Sequence, residues 1–230
     1  MKLADQVIVI TGANSGLGFA LADVLVKRRG NVVMSDRPGS HPEQEHLIGA
    51  TTIPADVTDE SQVQALADAT VSRFGKIDLW INNAGIWMPY TAFEDVPVER
   101  ARRIMDVNYF GVWHGSQAAY RQMLKQGGGA ILNILSIRVQ EPVAQTAAYS
   151  SSKFAAHALT QVLRSEAAAH NIKVLAAMPE RIRTHLFDEQ RPVDHDSFMD
   201  PTAVATRIAD WLEQDAPTLD LVITHESVLG

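Results

Sequence analysis

The chain has 230 residues, 46% of them hydrophobic and 20% charged, which is enough apolar material for a buried core and excludes a disordered polyelectrolyte. A net charge of −7 argues against nucleic acid or an anionic membrane as partner, and the lack of cysteine removes disulfides, thiolate nucleophiles and cysteine-ligated zinc. The opening MKLADQVIVITG carries an acidic residue and too short an apolar run for a signal peptide or a membrane span, so a cytoplasmic protein is expected.

In chain order, 6–11 (QVIVIT) reads as a strand and 16–29 as a helix. A second strand is expected at 31–36 (NVVMSD), a weak helical pattern near 43–48 and a third strand at 51–54 (TTIP). A helix over 59–74, with Asp59 at its N-cap, leads to a strand at 76–81 (KIDLWI). A long helix over 99–126 precedes the strand 130–136 (AILNILS), and a helix over 149–170 precedes the strand 172–178 (IKVLAAM). Asp200 and Pro201 suit the start of a helix over 201–214, and 219–224 (LDLVIT) reads as the last strand. Most of these strands are apolar throughout, as strands covered on both faces must be. Strand–helix alternation predicts an α/β fold with a mainly parallel sheet and helices on both faces. No linker or repeat interrupts it, so one domain is expected.

TGANSGLG (11–18) follows a strand and opens a helix. Glycines there let the backbone approach a pyrophosphate, whose charge the helix N-terminus stabilises. Gly12, Asn14, Ser15, Gly16, Leu17 and Gly18 are thus candidate cofactor residues. Asp36 ends the second strand, where a carboxylate can hold a ribose 2′-hydroxyl, and Asp56-Val57 ends the third strand on the same sheet edge. A carboxylate repels a 2′-phosphate, which favours NAD over NADP; the adjacent Arg37 is a guanidinium able to clamp a phosphate and pulls the other way.

Tyr149 and Lys153 in YSSSK stand at i and i+4, on one helix face. A nearby ammonium favours the phenolate and lowers the tyrosine pKa, which suits general acid–base work on an alcohol or carbonyl. Ser136 ends a strand, so its hydroxyl emerges at the same sheet edge, and Asn108 in DVNYFG is placed to reach the lysine through a water.

Together TGANSGLG, Asp36, DV (56–57), NNAG (82–85), Asn108, Ser136 and YSSSK resemble the short-chain dehydrogenase/reductase family in its compact single-domain form. The resemblance runs from about residue 5 to 184. It implies a seven-stranded doubly wound, Rossmann-type sheet, a nicotinamide cofactor and hydride transfer to or from a small alcohol or ketone. It makes Tyr149 the acid/base, Ser136 the donor to the substrate oxygen, Lys153 the holder of the nicotinamide ribose and Asn108 the anchor of a relay water. Asn83, Ala84 and Gly85 would wall the adenosine, and Pro179, Ile182 and Thr184 would meet the carboxamide and phosphates. The family often assembles as dimers or tetramers through the helices here at 99–126 and 149–170.

The substrate end departs from the family's small residues. Leu135 is larger than usual, and Arg138 and Val139 stand where alanine and glycine are common. Arg138 either points inward to pair with a substrate carboxylate or phosphate, or outward on its loop. Trp87 and Met88 follow NNAGI as pocket wall or ordinary core, and Gln140, Gln145 and His185 are further substrate candidates. In MPERIRT (178–184) Glu180 replaces the usual glycine. Its carboxylate either turns outward to Arg181 or Arg183, or faces the cofactor's reactive end, where it favours the cationic oxidised ring. The segment 185–200 takes the place of a short substrate lid, which suggests a small substrate. The eight histidines, His41 and His46 among them, show no ligand spacing, so no metal is expected. A catalytically inactive NAD-binding regulator or scaffold of the same fold is the alternative, and a methyltransferase a distant third that has no use for Ser136, Tyr149 and Lys153 in register.

Overall fold

The computed structural model describes residues 1–40, 47, 49–215 and 217–229. His41, His46 and most of the weak helical pattern near 43–48 lie outside the described residues. Strands β1 (Val7–Thr11), β2 (Asn31–Ser35), β3 (Ala50–Thr52), β4 (Leu79–Asn82), β5 (Gly129–Ile134), β6 (Ile172–Pro179) and β7 (Asp220–Ile223) form one sheet. Their order is β3-β2-β1-β4-β5-β6-β7 and every pairing is parallel. The helices are α1 (Gly16–Lys27), α2 (Glu60–Phe74), α3 (Val98–Met105), α4 (Gly111–Gln126), α5 (Ala147–Ala167), α6 (Pro201–Glu213) and the short α7 (His225–Leu229).

Successive strand residues point to opposite faces, so a sheet covered on both sides needs apolar residues at every position. Ile8, Ile10, Ile81 and Leu132 pack with Leu21 and Leu25 of α1 and Ile208 and Trp211 of α6. Val9, Trp80 and Ile131 face the other way, toward Leu66 and Ala67 of α2 and Ala118 and Met123 of α4. The chain winds from β1 out to β3, then returns to place β4 on the far side of β1. The crevice at this reversal, beyond the carboxyl ends of β1 and β4, is where such sheets bind ligands.

Local chemistry fixes the helix ends. Asp59 accepts the amides of Ser61 at 2.9 Å and Gln62 at 3.2 Å, and Gly75 closes α2 in the left-handed region. Asp200 caps α6, with Pro201 in its first turn. Helix α1 stops at Lys27, short of the expected 29, because Arg29 adopts a φ of 65°. The long helix expected over 99–126 is two helices, α3 and α4, joined by a π-helical turn at Asp106–Phe110. Helix α7 escaped the sequence pattern because five residues are too few to show a period. No helix among the described residues is long and apolar enough to cross a membrane.

A buried polar chain ties the middle of the sheet to α4 and α5. The Trp80 indole donates to Asn82 Oδ1 and Asn82 Nδ2 to Asn133 Oδ1, both at 2.8 Å, and Asn133 Nδ2 donates to Thr160 Oγ1 at 2.8 Å. Gly115 of α4 leaves room for it, since a Cβ there would lie 2.0 Å from Asn82 Oδ1. Gly115→Ala is therefore expected to destabilise the protein by about 1–3 kcal/mol despite alanine's better helix propensity. Urea unfolding followed by tryptophan fluorescence checks this; an unchanged midpoint would show that the network yields at no cost.

Candidate active site

A cavity of about 630 Å³ opens at the carboxyl edge of the sheet. It runs from Asp36 and Arg37, past the glycine-rich turn, to Ser136, Tyr149 and Lys153. The turn is held by a clamp. Asn83 Nδ2 donates to the carbonyls of Thr11 and Gly12, each at 3.0 Å, and the Thr11 hydroxyl accepts the amides of Asn83 and Ala84 at 3.1 and 3.2 Å. Gly12 has a φ of +63°, and a Cβ on it would lie 2.7 Å from Ala84 Cα. A Cβ on Gly18 would lie 2.1 Å from the Gly12 carbonyl oxygen. The first turn of α1 holds no acidic residue of its own and the Ser15 side chain makes no capping bond, and the helix's positive end meets the cavity.

At the far end Asp36 accepts the amides of Arg37 at 2.8 Å and Asn14 at 3.3 Å, which fix its carboxylate at the cavity wall. Asp56 and Val57 line the same end with Arg37 and Arg103. Burial raises the Asp56 pKa, but hydrogen bonds from the Thr58 amide and hydroxyl and the charges of Arg103 and Arg37 prevail and leave it below the usual carboxylate value. Asn14 departs from expectation. Its side chain donates to Ser40 Oγ at 2.7 Å, which braces the loop after Asp36 instead of lining the cavity.

At the other end, Ser136 follows β5 and opens a 3₁₀ turn at Ile137–Val139; its Oγ accepts the Arg138 amide at 3.2 Å. Tyr149, in the first turn of α5, stands near Ser136 and packs beside Trp87 and Phe187. One turn on, Lys153 is only 4% exposed; its Nζ donates to the Ile134 carbonyl at 2.9 Å and lies 5.9 Å from the centre of the Tyr149 ring. Burial lowers the Lys153 pKa to about 8. The expected depression of the tyrosine pKa is reversed. Burial raises it, and the nearby Ser136 hydroxyl and the Arg138 charge oppose that rise without cancelling it. Asn108 is buried in the π turn and off the cavity, its amide donating to the Ile86 carbonyl and to Ser152 Oγ, its Oδ1 accepting the Ile86 amide at 2.8 Å. It joins the NNAGI loop to α5, and a Cβ on Gly85 would lie 3.4 Å from its Oδ1 and 3.7 Å from Lys153 Nζ.

Segment 185–200 covers this end. Trp87 meets Phe187 at 5.1 Å between ring centres, and Phe187 meets Phe198 at 5.3 Å. The base of the segment is pinned by backbone bonds between Met199 and both Arg181 and Arg183, and its outer part by an ion pair of Glu189 with Arg100 of α3.

Residues 6–194 match the family described as short chain dehydrogenase. The chain belongs to the short-chain dehydrogenase/reductase family. It is 35% identical over 190 residues to an uncharacterized oxidoreductase of Methylorubrum extorquens, covering 80% of this chain and 75% of that one. It is 32% identical over 212 residues to an uncharacterized oxidoreductase of Staphylococcus epidermidis, covering 89% and 92%. Among solved structures it resembles a 3-ketoacyl-(acyl-carrier-protein) reductase from Brucella melitensis complexed with NADH, with a TM-score of 0.88, 27% identity and 98% and 99% of the two chains covered. The protein is thus an oxidoreductase of a nucleotide-binding fold that holds nicotinamide cofactors.

Within this dehydrogenase/reductase frame, the cavity gathers the cofactor candidates Gly12, Ser15, Gly16, Leu17, Gly18, Asp36, Arg37, Asp56, Val57, Asn83, Ala84, Gly85, Pro179, Ile182 and Thr184. Trp87, Arg138, Glu180 and His185 line it as well. Gln145 does not: it is exposed, at a φ of 67°, and its carbonyl accepts the Thr91 amide. Gln140 also stays outside, and Met88 packs with Ile104 and Ala148 in a separate cluster. Glu180 lines the cavity and does not pair with Arg181 or Arg183. Arg181 pairs with Asp194 and Arg183 with Asp200, while the Glu180 carboxylate accepts the His225 amide at 2.8 Å at the start of α7. An unforeseen short helix supplied the partner. Tyr90, Arg100, Arg103, Phe187 and Glu189 line the cavity as well, and no sequence motif marks them. The spacing of Arg100 and Arg103 marks one polar helix face, but nothing in the sequence says that this face meets the cavity.

Proposed function

We propose that the protein is an NAD(H)-dependent oxidoreductase that interconverts a small alcohol and ketone, with Tyr149 as general acid/base. The observation that carries this reading is the joining of Ser136, Tyr149 and Lys153 to Asp36 by one continuous cavity. The cradle suits a dinucleotide. Gly12 and Gly18 have no space for a side chain, the positive end of α1 faces the pyrophosphate position, and the fixed Asp36 carboxylate suits ribose hydroxyls. Asp56, Val57 and Asn83 to Gly85 would flank the adenosine, Tyr149 and Lys153 the nicotinamide ribose, and Pro179, Ile182 and Thr184 the carboxamide and phosphates. When bound, the nicotinamide gives or takes the hydride.

The chain's own groups manage the oxygen. Ser136 Oγ already accepts a backbone amide, so its proton is free to be donated to the substrate oxygen. Tyr149, raised in pKa by burial, is the neutral phenol at pH 7 and gives its proton to the carbonyl oxygen on reduction. Below about pH 8 the Lys153 ammonium stands beside the tyrosine ring and favours the phenolate left behind. Asn108 acts as a positioning residue that holds the loop and α5 around Lys153.

Nicotinamide absorbance with a panel of alcohols and ketones tests the reading; tight NADH binding without turnover of any member would overturn it. For the cofactor, Asp36→Ser is expected to shift the NAD(H)-to-NADP(H) ratio of kcat/KM at least about tenfold toward NADP(H) by removing like-charge repulsion. An unmoved ratio would assign the preference elsewhere. The chain forms one domain with 185–200 as its lid, acts in the cytoplasm and assembles as a homodimer or homotetramer through α4 and α5. The exposed Phe110, Trp113, Phe154 and Val162 on and beside those helices support the assembly.

A further inference from the structure

At the substrate end the walls are mostly apolar. Trp87 and Tyr90 meet edge to face at 5.5 Å, Phe187 closes over Trp87, and Ile137 lies beside Ser136. Arg138 is the exception. Its backbone amide holds Ser136 Oγ, and its guanidinium donates through one nitrogen to the Glu141 carbonyl at 2.9 Å. A guanidinium carries five N–H donors, and the others of Arg138 find no protein acceptor or carboxylate among the described residues. The anchor to Glu141 keeps the cation in place without neutralising it.

Several of the other charges that line the cavity are engaged, and Lys153 is buried with its Nζ held by the Ile134 carbonyl. Glu189 pairs with Arg100, and Glu180 takes the His225 amide at the positive end of α7. Asp36 and Asp56 lie at the opposite end with Arg37 and Arg103, and Arg181 pairs with Asp194. Arg138 is thus left beside the reacting tyrosine, and its charge is felt there.

We propose that the physiological substrate is a small keto acid, or the matching hydroxy acid, whose carboxylate pairs with Arg138 while its apolar or aromatic body lies against Trp87 and Phe187. This rests on the alcohol/ketone reading above and adds the substrate class. A carboxylate fits the site better than a phosphate ester, because one guanidinium matches a single negative charge in a bidentate pair.

Matched pairs of keto acids and their methyl esters, of the pyruvate, levulinate and benzoylpropionate types, test this with wild type, Arg138→Gln and Arg138→Lys. For at least one pair, wild-type kcat/KM is expected to favour the acid by about tenfold or more, as charge-assisted bidentate bonds do. Arg138→Gln brings that ratio close to one through a higher KM for the acid, and Arg138→Lys restores part of it. Esters turned over as well as acids, or a ratio that survives Arg138→Gln, would overturn the inference and leave the alcohol/ketone reading standing. If no ketone of any kind is turned over, that reading falls, and tryptophan-fluorescence titration of the NADH-loaded protein with the same acids decides the inference. Binding weakened about tenfold by Arg138→Gln supports it; no binding, or binding indifferent to the substitution, overturns it.

Discussion

Tyr149→Phe is expected to lower kcat by about a thousandfold or more while the protein stays folded, since positioned proton transfer contributes on the order of 10²–10⁴. The ring packs beside Trp87 and Phe187, contacts that phenylalanine keeps. Only the phenolic hydroxyl, near Ser136, is lost. Steady-state and single-turnover rates with NADH and a ketone check this, with near-ultraviolet circular dichroism to confirm the fold. A variant with a tenth of the wild-type rate would place the proton donor elsewhere. The same cluster sets a pH dependence. Lys153 titrates near pH 8 in the folded chain, below the ordinary lysine value, so its charge is present below that pH and lost above it. Reduction therefore slows as pH rises through about 8, because the phenolate formed at Tyr149 then lacks its neighbouring cation. The kcat/KM for NADH, which reports groups of the free enzyme, should show this inflection in wild type and lose it in Lys153→Met.

Gly18→Ala is the second large effect, and it acts on binding. A Cβ at this position meets the Gly12 carbonyl oxygen at 2.1 Å and Asn83 Nδ2 at 2.5 Å. Neither neighbour is a flexible side-chain end free to swing aside. Asn83 is tied to two backbone carbonyls, and Gly12 is itself against Ala84. The methyl group must therefore push the turn out of shape or break the clamp between β1 and the NNAG loop. NADH affinity, followed by the nucleotide's fluorescence, is expected to fall at least about tenfold, with about 1–3 kcal/mol of lost stability from overpacking. Unchanged binding would mean that the close approach of Gly12 and Gly18 is incidental to the cradle.

The sheet was legible because its chemistry is local. Runs such as VIVIT are apolar on both faces, which only a covered parallel strand requires, and Asp59 and Asp200 mark helix starts by the bonds that they in fact make. Ser136, Tyr149 and Lys153 were legible for a related reason: a strand end and an i, i+4 helix face both point to the carboxyl edge. Side-chain partners across the fold were not. Asn14 sits in the glycine motif yet turns to Ser40, a residue whose position depends on the loop after β2. Glu180 found its partner in α7, whose five residues gave no periodic signal. The tyrosine pKa was misjudged because the sequence shows the nearby lysine but not the burial that outweighs it. The π turn between α3 and α4 is equally silent in the sequence, since a helix reads the same with one wider turn inside it.

The proposed movement of hydride between a nicotinamide and a carbonyl carbon, with Tyr149 as proton donor, can be followed by isotope labelling. Incubation with NADH deuterated at the transferable position and a panel of ketones and keto acids, followed by mass spectrometry of the alcohol products, tests it most directly. Wild type is expected to give an alcohol with one deuterium at the carbinol carbon, and Tyr149→Phe, which still binds NADH, none in the same time. Bound NADH with no labelled alcohol from wild type would overturn the proposed hydride transfer, and equal labelling by both proteins would overturn the role of Tyr149.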